Sequence, residues 1–281
     1  MHDYITVCER AARRGGEVLL DWQGRISPRE KAPKDLVSEA DLASQTAIFE
    51  IIHDAFPDHD LLGEEDDTAN SAARSSEFRW IVDPLDGTVN YVHRLPAYSV
   101  SVALEHQGQV QAGVVFDPIA NECFSAVKGE GAFLNGVKIS ASGCDSLRTA
   151  LVAASLSAGV SRDSEEIARF LDVLVECQAL RRLGSAALNL AYLAAGRLDA
   201  YWATSVKVWD VAAGVLLVQE AGGLVTGVEG EAFDLSRPRF AAAATLMLHK
   251  ALVSTLKRGS KDAIIPTSLP NFCPQSTHLL L

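Results

Sequence analysis

The sequence predicts an α/β or α+β protein built from two layered halves. Apolar residues spaced three and four apart over 4–22 are typical of an amphipathic helix, and short apolar or alternating runs between about 78 and 127 are typical of strands. After about residue 145 strands and helices alternate, which is the pattern of packed α and β layers. The 281 residues can bury a large core, and length alone leaves one large domain or two smaller ones open.

The first half is expected to hold two helices followed by a sheet. The helical spacing covers 4–22 and then 38–56, where Pro57 closes the second helix. We expect the first strand to end at Asp83, because Pro84 lacks the amide hydrogen that ladder pairing needs. The strands predicted in this half are 78–82, 98–104, 110–116 and 123–127.

In the second half the predicted elements alternate in type. They are a strand at 150–154, a helix over 164–177, a helix of small residues after Gly184, a strand at 198–202, a helix at 211–221 and a strand at 224–225. The segment 259–281 contains three prolines without a sustained period, and we expect it to be a loosely attached tail. The predicted organisation is therefore an N-terminal half at 1–145, a C-terminal half at 146–258 and the tail.

Composition excludes several classes of function. The chain has 25 Lys and Arg against 36 Asp and Glu, a formal net charge of −11, and so lacks the basic surface that a nucleic-acid groove needs. No window reaches the roughly 18 apolar residues of a membrane span, and no targeting segment is visible at the start. The five cysteines are scattered without a C-x-x-C pair. We expect a cytoplasmic protein with neither nucleic acid nor membrane as partner.

The most informative segment is 80–91, where a hydrophobic strand leads into Asp83, Asp86, Gly87 and Thr88. Two carboxylates at a strand end suit a hard divalent cation, because Mg²⁺ prefers oxygen ligands. The amides of Gly87 and Thr88 could bind a phosphate, particularly if a helix starts there. Turns also prefer Asp, Pro and Gly, so the segment taken alone is equally consistent with a plain turn.

A second acidic segment lies about twenty residues earlier, where Gly63 precedes Glu64 and Glu65. In extended backbone these two side chains point to opposite faces, so one could meet a metal ion while the other supports it from behind. Asp66 and Asp67 follow at once, and a solvated acidic run is by itself the more common case. The segment gains meaning only together with the others.

Two further carboxylates stand at predicted helix starts. Ser38 and Asp41 have the spacing of a capping box, and the helix dipole also favours a carboxylate there, so local evidence favours a structural role for Asp41. Asp210 precedes the nearly all-apolar run 211–218, which would place it at the N-terminus of a buried helix. It is either a cap or a metal ligand carried on a rigid element.

Taken together, these segments resemble the inositol monophosphatase family, within the lithium-sensitive, magnesium-dependent phosphatases that include fructose-1,6-bisphosphatase. The resemblance covers roughly residues 3–258. It implies a five-layer αβαβα sandwich, the inositol monophosphatase or sugar phosphatase fold, together with a homodimer and inhibition by lithium. The segments that carry it, in the family's order, are 35–41, 63–65, 80–90 and 209–214.

The resemblance implies a metal site with two or three Mg²⁺ ions. Glu64, Asp83 and the carbonyl of Leu85 would hold the first ion, and Asp83, Asp86 and Asp210 would hold the second. Cations suit this chemistry because a phosphate monoester dianion repels a nucleophile, and two ions can neutralise the dianion, activate water and stabilise the departing alkoxide. Clustered carboxylates without metal would raise one another's pKa.

The resemblance also implies roles in catalysis and substrate binding. Thr88, hydrogen-bonded toward Asp41, would polarise the metal-bound water that attacks phosphorus; Glu64 belongs to this catalytic group, and Glu65 would support the metal ligands. The amides of Gly87 and Thr88 would bind the phosphate, and 184–186 would form the wall near the alcohol. The residues expected to contact substrate are Asp86, Gly87, Thr88, Gly184, Ser185, Ala186 and Asp210.

One position departs from the family pattern. Inositol-specific members carry a glutamate seven residues before the aspartate that corresponds to Asp210, and it hydrogen-bonds ring hydroxyls. This sequence has Ala203 there, and alanine cannot accept those hydrogen bonds. The part of the site that cleaves phosphate is therefore expected to be complete, while the alcohol it recognises stays open.

The leading prediction is Mg²⁺-dependent hydrolysis of a small phosphate monoester of the inositol 1-phosphate type, with release of inorganic phosphate. Fructose 1,6-bisphosphate, histidinol phosphate and a 3′-phosphorylated nucleotide are alternative substrates for the same chemistry. An alternative of a different class is a regulatory or binding protein on the same fold. Metal binding and turnover of phosphate esters distinguish these hypotheses.

Overall fold

A computed structural model describes residues 4–25, 29–32, 35–66 and 75–261 of the chain. In this part of the chain the α-helices are α1 (Tyr4–Trp22), α2 (Glu39–Ala55), α3 (Thr88–Val92), α4 (Glu165–Glu176), α5 (Ala186–Ala194), α6 (Val208–Glu220) and α7 (Leu246–Lys261). None of these helices is long and apolar enough to cross a lipid bilayer.

The strands form three sheets. A two-stranded sheet pairs β1 (Arg29–Ala32) with β2 (Asp35–Val37). A seven-stranded sheet has neighbouring strands in chain order: β3 (Asp60–Gly63), β4 (Phe78–Asp86), β5 (Ser99–His106), β6 (Gln109–Asp117), β7 (Glu122–Val127), β8 (Gly131–Leu134) and β9 (Val137–Ile139). A five-stranded sheet contains β10 (Leu151–Ser155), β11 (Ala179–Arg181), β12 (Ala200–Ala203), β13 (Leu224–Gly227) and β14 (Phe240–Ala243), in the order β11-β10-β12-β14-β13.

Side-chain alternation along the strands builds the layers. On β4, Trp80 and Val82 pack with α1 and α2, whereas Ile81 faces the core shared with α5 and α6. On β12, Tyr201 faces that same shared core, whereas Trp202 packs on the opposite side with α7. Successive side chains of a strand point to opposite faces, so the seven-stranded and five-stranded sheets each pack against helices on both faces. The result is the predicted αβαβα order: α1 and α2, the seven-stranded sheet, α5 and α6, the five-stranded sheet, and α4 and α7.

Small residues let the central helices approach the sheets closely. A Cβ atom at Gly113 of β6 would lie 2.8 Å from the Cα of Ala213 on α6, and one at Gly214 would lie 2.5 Å from the Cβ of Leu190 on α5. Both distances are shorter than van der Waals contact, so larger side chains would force these elements apart. The central core joins residues of both predicted halves.

Most predicted elements are confirmed, and three boundaries differ. Strand β4 continues through Pro84 to Asp86, because a register shift between Asp83 and Asp86 spares the proline a ladder bond; the expected end at Asp83 was wrong. Helix α6 begins at Val208, three residues earlier than expected. The unpredicted helix α7 includes 259–261, the first residues of the expected tail, and 262–281 lie outside the described residues.

Candidate active site

The predicted metal ligands come from neighbouring ends of strands and from one helix. Glu64 follows β3 directly, and its amide donates to the Val82 carbonyl at 3.2 Å, which places it beside the end of β4. Asp83 pairs with Ser101 of β5, and the Ser101 hydroxyl donates to the carbonyl of Trp209 at 3.2 Å. This last bond holds the start of α6 against β5, the neighbour of the strand that carries Asp83. The structure thus brings together the group called here the carboxylate cluster: Glu64, Asp83, Asp86 and Asp210.

Burial raises the pKa of three members of the carboxylate cluster, and neighbouring negative charges add to this effect at Asp83 and Asp210. Burial is the main cause for Asp83, and the negative charges of Glu64, Asp86 and Asp210 add to it. Loss of hydration raises the pKa of Asp210 to about 8, with a further contribution from the Asp86 charge. Burial raises the pKa of Asp86 as well, although hydrogen bonds oppose the shift. Converging carboxylates with raised pKa values are characteristic of functional sites.

The donor set of this cluster fits Mg²⁺. Its donors are hard carboxylate oxygens, to which the carbonyl of Leu85, between Asp83 and Asp86 in the chain, adds one more oxygen. A bound cation would also relieve the repulsion that contributes to the raised pKa of Asp83. As placed, no three His, Cys, Asp or Glu side chains of the described ranges are close enough together to hold one ion. Side chains of the cluster would therefore have to turn toward a shared ion on binding. The fit rests on electrostatic coupling and ligand chemistry.

Asp86 links the seven-stranded sheet to the start of α5. Its carboxylate accepts hydrogen bonds from the Ser185 hydroxyl, from the amides of Ala186 at 3.0 Å and Ala187 at 2.7 Å, and from the Ser99 hydroxyl at 3.4 Å. The N-terminus of a helix favours negative charge, so α5 partly offsets the cost of burying this carboxylate. Ser185 and Ala186, predicted as part of the substrate wall, thus contact the Asp86 carboxylate.

Asp41 combines the capping role with a contact to the site. One carboxylate oxygen accepts from the Ser38 amide at 2.9 Å and from its hydroxyl at 2.6 Å, which completes the capping box of α2. The other oxygen lies 3.3 Å from Thr88 Oγ1, which is also 3.2 Å from the Leu85 carbonyl. The single hydroxyl hydrogen of Thr88 can serve only one of these acceptors at a time. The predicted hydrogen bond between Thr88 and Asp41 is present in the structure.

The loop after Asp86 is held by backbone crowding and by an asparagine. Gly87 has φ +100°, and a Cβ atom there would lie 3.1 Å from the Ala97 carbonyl and 3.3 Å from that of Gly184. The short helix α3 starts directly after it, as the phosphate-binding interpretation anticipated. Asn90 donates to the carbonyls of Ala97 and Leu183, both at 2.7 Å, and so joins this loop to the segment before α5. Asn90 lies in the segment 80–90, but the sequence alone did not indicate that it connects these two segments.

Within the acidic run after β3, residues 64–66 are held by hydrogen bonds to the protein. Asp66 accepts from the Gly63 amide at 2.7 Å and from Gln45 of α2 at 3.0 Å, while Gln45 accepts from the Glu65 amide at 3.1 Å. These bonds fix the backbone on both sides of Glu64. Glu64 and Glu65 are half-buried. Sequence reasoning missed Gln45, because a lone glutamine on a helix carries no recognisable signal.

The end of β12 is the position of the family departure. Ala203 is buried and lies opposite Ser155, the last residue of the parallel strand β10. Asp210 lies in the first turn of α6, and its carboxylate accepts from the Lys207 backbone amide at 2.8 Å.

Comparison with protein families and curated sequences gives consistent matches. A model described as the inositol monophosphatase family matches residues 1–261. A protein named Nus factor SuhB from Pseudomonas aeruginosa is 37% identical over 266 residues, which cover 92% of this chain and 97% of the relative. A protein named inositol-1-monophosphatase from Mesorhizobium japonicum is 36% identical over 258 residues, which cover 90% of this chain and 96% of the relative.

Solved structures agree with the layered architecture. An IMPase from Thermotoga maritima superposes with a TM-score of 0.84 at 32% identity, over 93% of this chain and 100% of the other. An inositol monophosphatase from Anabaena superposes with a TM-score of 0.81 at 34% identity, over 91% of this chain and 95% of the other. The similarity therefore extends over nearly the full length of each compared chain.

Proposed function

The chain belongs to the inositol monophosphatase family, and from this membership we propose that it is a Mg²⁺-dependent phosphatase acting on small phosphate monoesters. The observation that carries the proposal is the carboxylate cluster, whose four side chains come from three stretches of the chain and in which neighbouring negative charges add to burial in raising the pKa of Asp83 and Asp210. A fold that retains such repulsion in its interior is suited to bind positive charge. Release of inorganic phosphate from an ester is the chemistry that this charge would support.

The residues of the cluster would hold the metal and the phosphate. Glu64, Asp83 and the Leu85 carbonyl would hold one Mg²⁺, and Asp83, Asp86 and Asp210 a second. When bound, the ions would neutralise the phosphate dianion, lower the pKa of an attacking water and stabilise the leaving alkoxide. Asp86 is held in place for this role by the start of α5.

Thr88 and its neighbours would orient the reactants. Because the Thr88 hydroxyl can donate to Asp41, its oxygen is left to accept a hydrogen bond from water and so orient that water toward phosphorus. The amides of Gly87 and Thr88 would donate to phosphate oxygens, and 184–186 would border the alcohol. Glu65, whose backbone amide donates to Gln45, would stabilise the metal ligands without contacting the metal itself.

Inositol 1-phosphate is the reference substrate within this proposal. One relative bears the name inositol-1-monophosphatase, which supports it. Because Ala203 cannot accept hydrogen bonds from the ring hydroxyls of inositol, fructose 1,6-bisphosphate, histidinol phosphate and 3′-phosphorylated nucleotides remain alternative substrates. A homodimer, a cytoplasmic location and inhibition by lithium stay predictions from the family resemblance.

A second candidate function is a regulatory or binding role on the same fold. It is favoured by relatives at 37% and 38% identity whose name, Nus factor SuhB, states no enzymatic activity. The two functions are compatible, so evidence for a binding role would not exclude catalysis. If this role were the main one, phosphate release would be absent or very slow with every ester.

The test measures phosphate released from a panel of esters, with Mg²⁺ and with EDTA. The panel contains inositol 1-phosphate, phenyl phosphate, fructose 1,6-bisphosphate, histidinol phosphate and 3′-AMP. Asp83→Asn should lower kcat/KM by about 1,000-fold or more, because several kcal/mol of transition-state stabilisation depend on the bound ions. Asp163→Asn, which makes the same change at an exposed position, is the matched control and should keep full activity.

Circular dichroism checks that Asp83→Asn still folds. An Asp83→Asn protein as active as the control would contradict the metal assignment. A wild-type protein that releases no phosphate from any ester with Mg²⁺ would leave the binding role as the better account.

A further inference from the structure

A carboxylate outside the cluster lies over the ends of two parallel strands of the five-stranded sheet. Strands β10 and β12 end side by side, with Ser155 opposite Ala203. Glu166, in the first turn of α4, accepts hydrogen bonds from the hydroxyl of Thr204, from the hydroxyl of Ser157 and from the Ser157 amide at 3.3 Å. This group is called the hydroxyl rim: Ser155, Ser157, Glu166 and Thr204.

The hydroxyl rim is linked to the carboxylate cluster through Tyr201 of β12. Tyr201, two residues before Ala203 and on the same face of β12, has its phenolic oxygen 2.8 Å from Ser155 Oγ. The negative charges of Asp86 and Asp210 contribute to the raised pKa of this buried tyrosine, so the side of β12 that contacts Ser155 lies within electrostatic range of the cluster. In layered α/β folds, ligands bind at the carboxyl ends of parallel strands, which is where the rim lies.

The rim has the chemistry of a hydrogen-bond acceptor. A carboxylate offers about four lone-pair sites; the Thr204 and Ser157 hydroxyls take one on each oxygen, and the Ser157 amide is shared between both oxygens at 3.3 Å, so a further donor can bind by displacing this long shared bond. Glu166 is half-buried, so it is open to solvent on one side. An ionised acceptor binds hydroxyl or ammonium groups well and repels anions.

We propose that Glu166 determines substrate specificity by accepting hydrogen bonds from the alcohol portion of the phosphate ester. The substrate is then a monophosphate of an alcohol with hydroxyl or ammonium donors, and bisphosphates are disfavoured. This inference rests on the proposed phosphatase function. It assigns to an α4 side chain the acceptor role that Ala203 cannot perform.

The test compares three esters in the presence of Mg²⁺: phenyl phosphate, whose leaving group has no donor; fructose 1-phosphate; and fructose 1,6-bisphosphate, which adds a second phosphate to the same sugar. The wild-type protein should have a higher kcat/KM for fructose 1-phosphate than for the bisphosphate. Glu166→Gln should raise KM for fructose 1-phosphate about tenfold with little change in kcat, since a hydrogen bond to a charged group is lost. The same variant should leave kcat/KM for phenyl phosphate unchanged. It should reduce the ratio of kcat/KM for fructose 1-phosphate to kcat/KM for fructose 1,6-bisphosphate.

Two variants serve as controls. Asp163→Asn removes an exposed charge three residues before Glu166 and should leave kcat/KM unchanged for all three esters. Glu166→Asp keeps the charge and should retain the discrimination against the bisphosphate even if Glu166→Gln folds poorly. Circular dichroism monitors folding of each variant.

The inference is overturned if the wild-type protein hydrolyses both fructose esters with equal kcat/KM. It is also overturned if Glu166→Gln affects all three esters alike, because a purely structural role through Ser157 and Thr204 would do that. Absence of phosphate release by the wild-type protein from all three esters would instead count against the proposed function.

Discussion

The carboxylate cluster and the hydroxyl rim lie at strand ends in two different sheets, and their negative charges are balanced in different ways. In the cluster, Asp83 is buried and accepts a hydrogen bond from the Leu85 amide, while three neighbouring carboxylates raise its pKa. In the rim, Glu166 is half-buried and accepts from two hydroxyls and one amide. The carboxylates of the cluster therefore repel one another, whereas the carboxylate of the rim is stabilised by hydrogen-bond donors of the protein.

The comparison shows how two regions of one protein can recognise different parts of a ligand. Repulsion among buried carboxylates is costly unless a cation is present, so the cluster is suited to metal and phosphate. A carboxylate that is already hydrogen-bonded costs little and can still accept from a neutral or cationic group. We therefore expect the two regions to respond differently to loss of charge, to pH and to strain.

The largest difference is expected when one carboxylate of each region is removed. Asp86→Ala takes away the acceptor of two buried amides and two buried hydroxyls, and relief of repulsion within the cluster offsets only part of this loss. We expect the free energy of unfolding to fall by about 3 kcal/mol. Glu166→Ala should cost only about 1 kcal/mol, because water can reach Ser157 and Thr204. Urea unfolding measures both, and equal losses would contradict the comparison.

Solution pH should act strongly on the cluster in metal-free protein. The pKa values of Asp83, Asp86 and Asp210 are raised, that of Asp210 to about 8, so the folded state binds more protons than the unfolded state between pH 4 and 8. Stability must therefore fall as pH rises through this range, by roughly 1.4 kcal/mol per pH unit for each carboxylate that is protonated only in the folded state. Urea unfolding in EDTA at several pH values measures this slope.

Two comparisons isolate the contribution of the cluster. Asp210→Asn should flatten the slope, and added Mg²⁺ should also reduce it, because it stabilises the charged form. Burial lowers the pKa of His249, which acts in the opposite sense by removing stability as pH falls below about 6.5. The difference between wild type and Asp210→Asn removes that contribution. An unchanged slope in Asp210→Asn would show that Asp210 is not held under strain.

The sequence predicted the cluster better than it predicted the rim, for a physical reason. Asp83, Asp86 and Asp210 lie in or beside hydrophobic segments, and a carboxylate next to a buried strand or helix needs a partner. Glu166 follows Ser164 and Glu165 at the start of an amphipathic helix, where acidic residues are common for helix stability alone. Only the tertiary structure brings it over the ends of β10 and β12.

Four of the missed strands share a different cause. Strands β8, β9, β11 and β14 have three or four residues each, too few to show a period. Strand β14 is also rich in alanine, which does not favour strands; it pairs with β12 and β13 inside the core. Helices α1 and α2 were predicted closely, because long amphipathic spacing is local information.

The smallest effect is expected from backbone strain beside the cluster. Gly184 has φ +86°, and a Cβ atom there would lie 2.7 Å from Asn90 Nδ2, whose amide braces the loop after Asp86. Gly222 has the same φ, and a Cβ there would meet nothing within 4 Å. Gly222→Ala should therefore report strain alone, about 1 kcal/mol, with unchanged activity. Gly184→Ala should lose slightly more stability, about 1.5 kcal/mol, and also lower kcat/KM, because displacing Asn90 moves the loop that carries Gly87 and Thr88. Urea unfolding and phosphate release on the same two proteins separate these effects, and equal activity in both would mean that the Asn90 brace does not position the site.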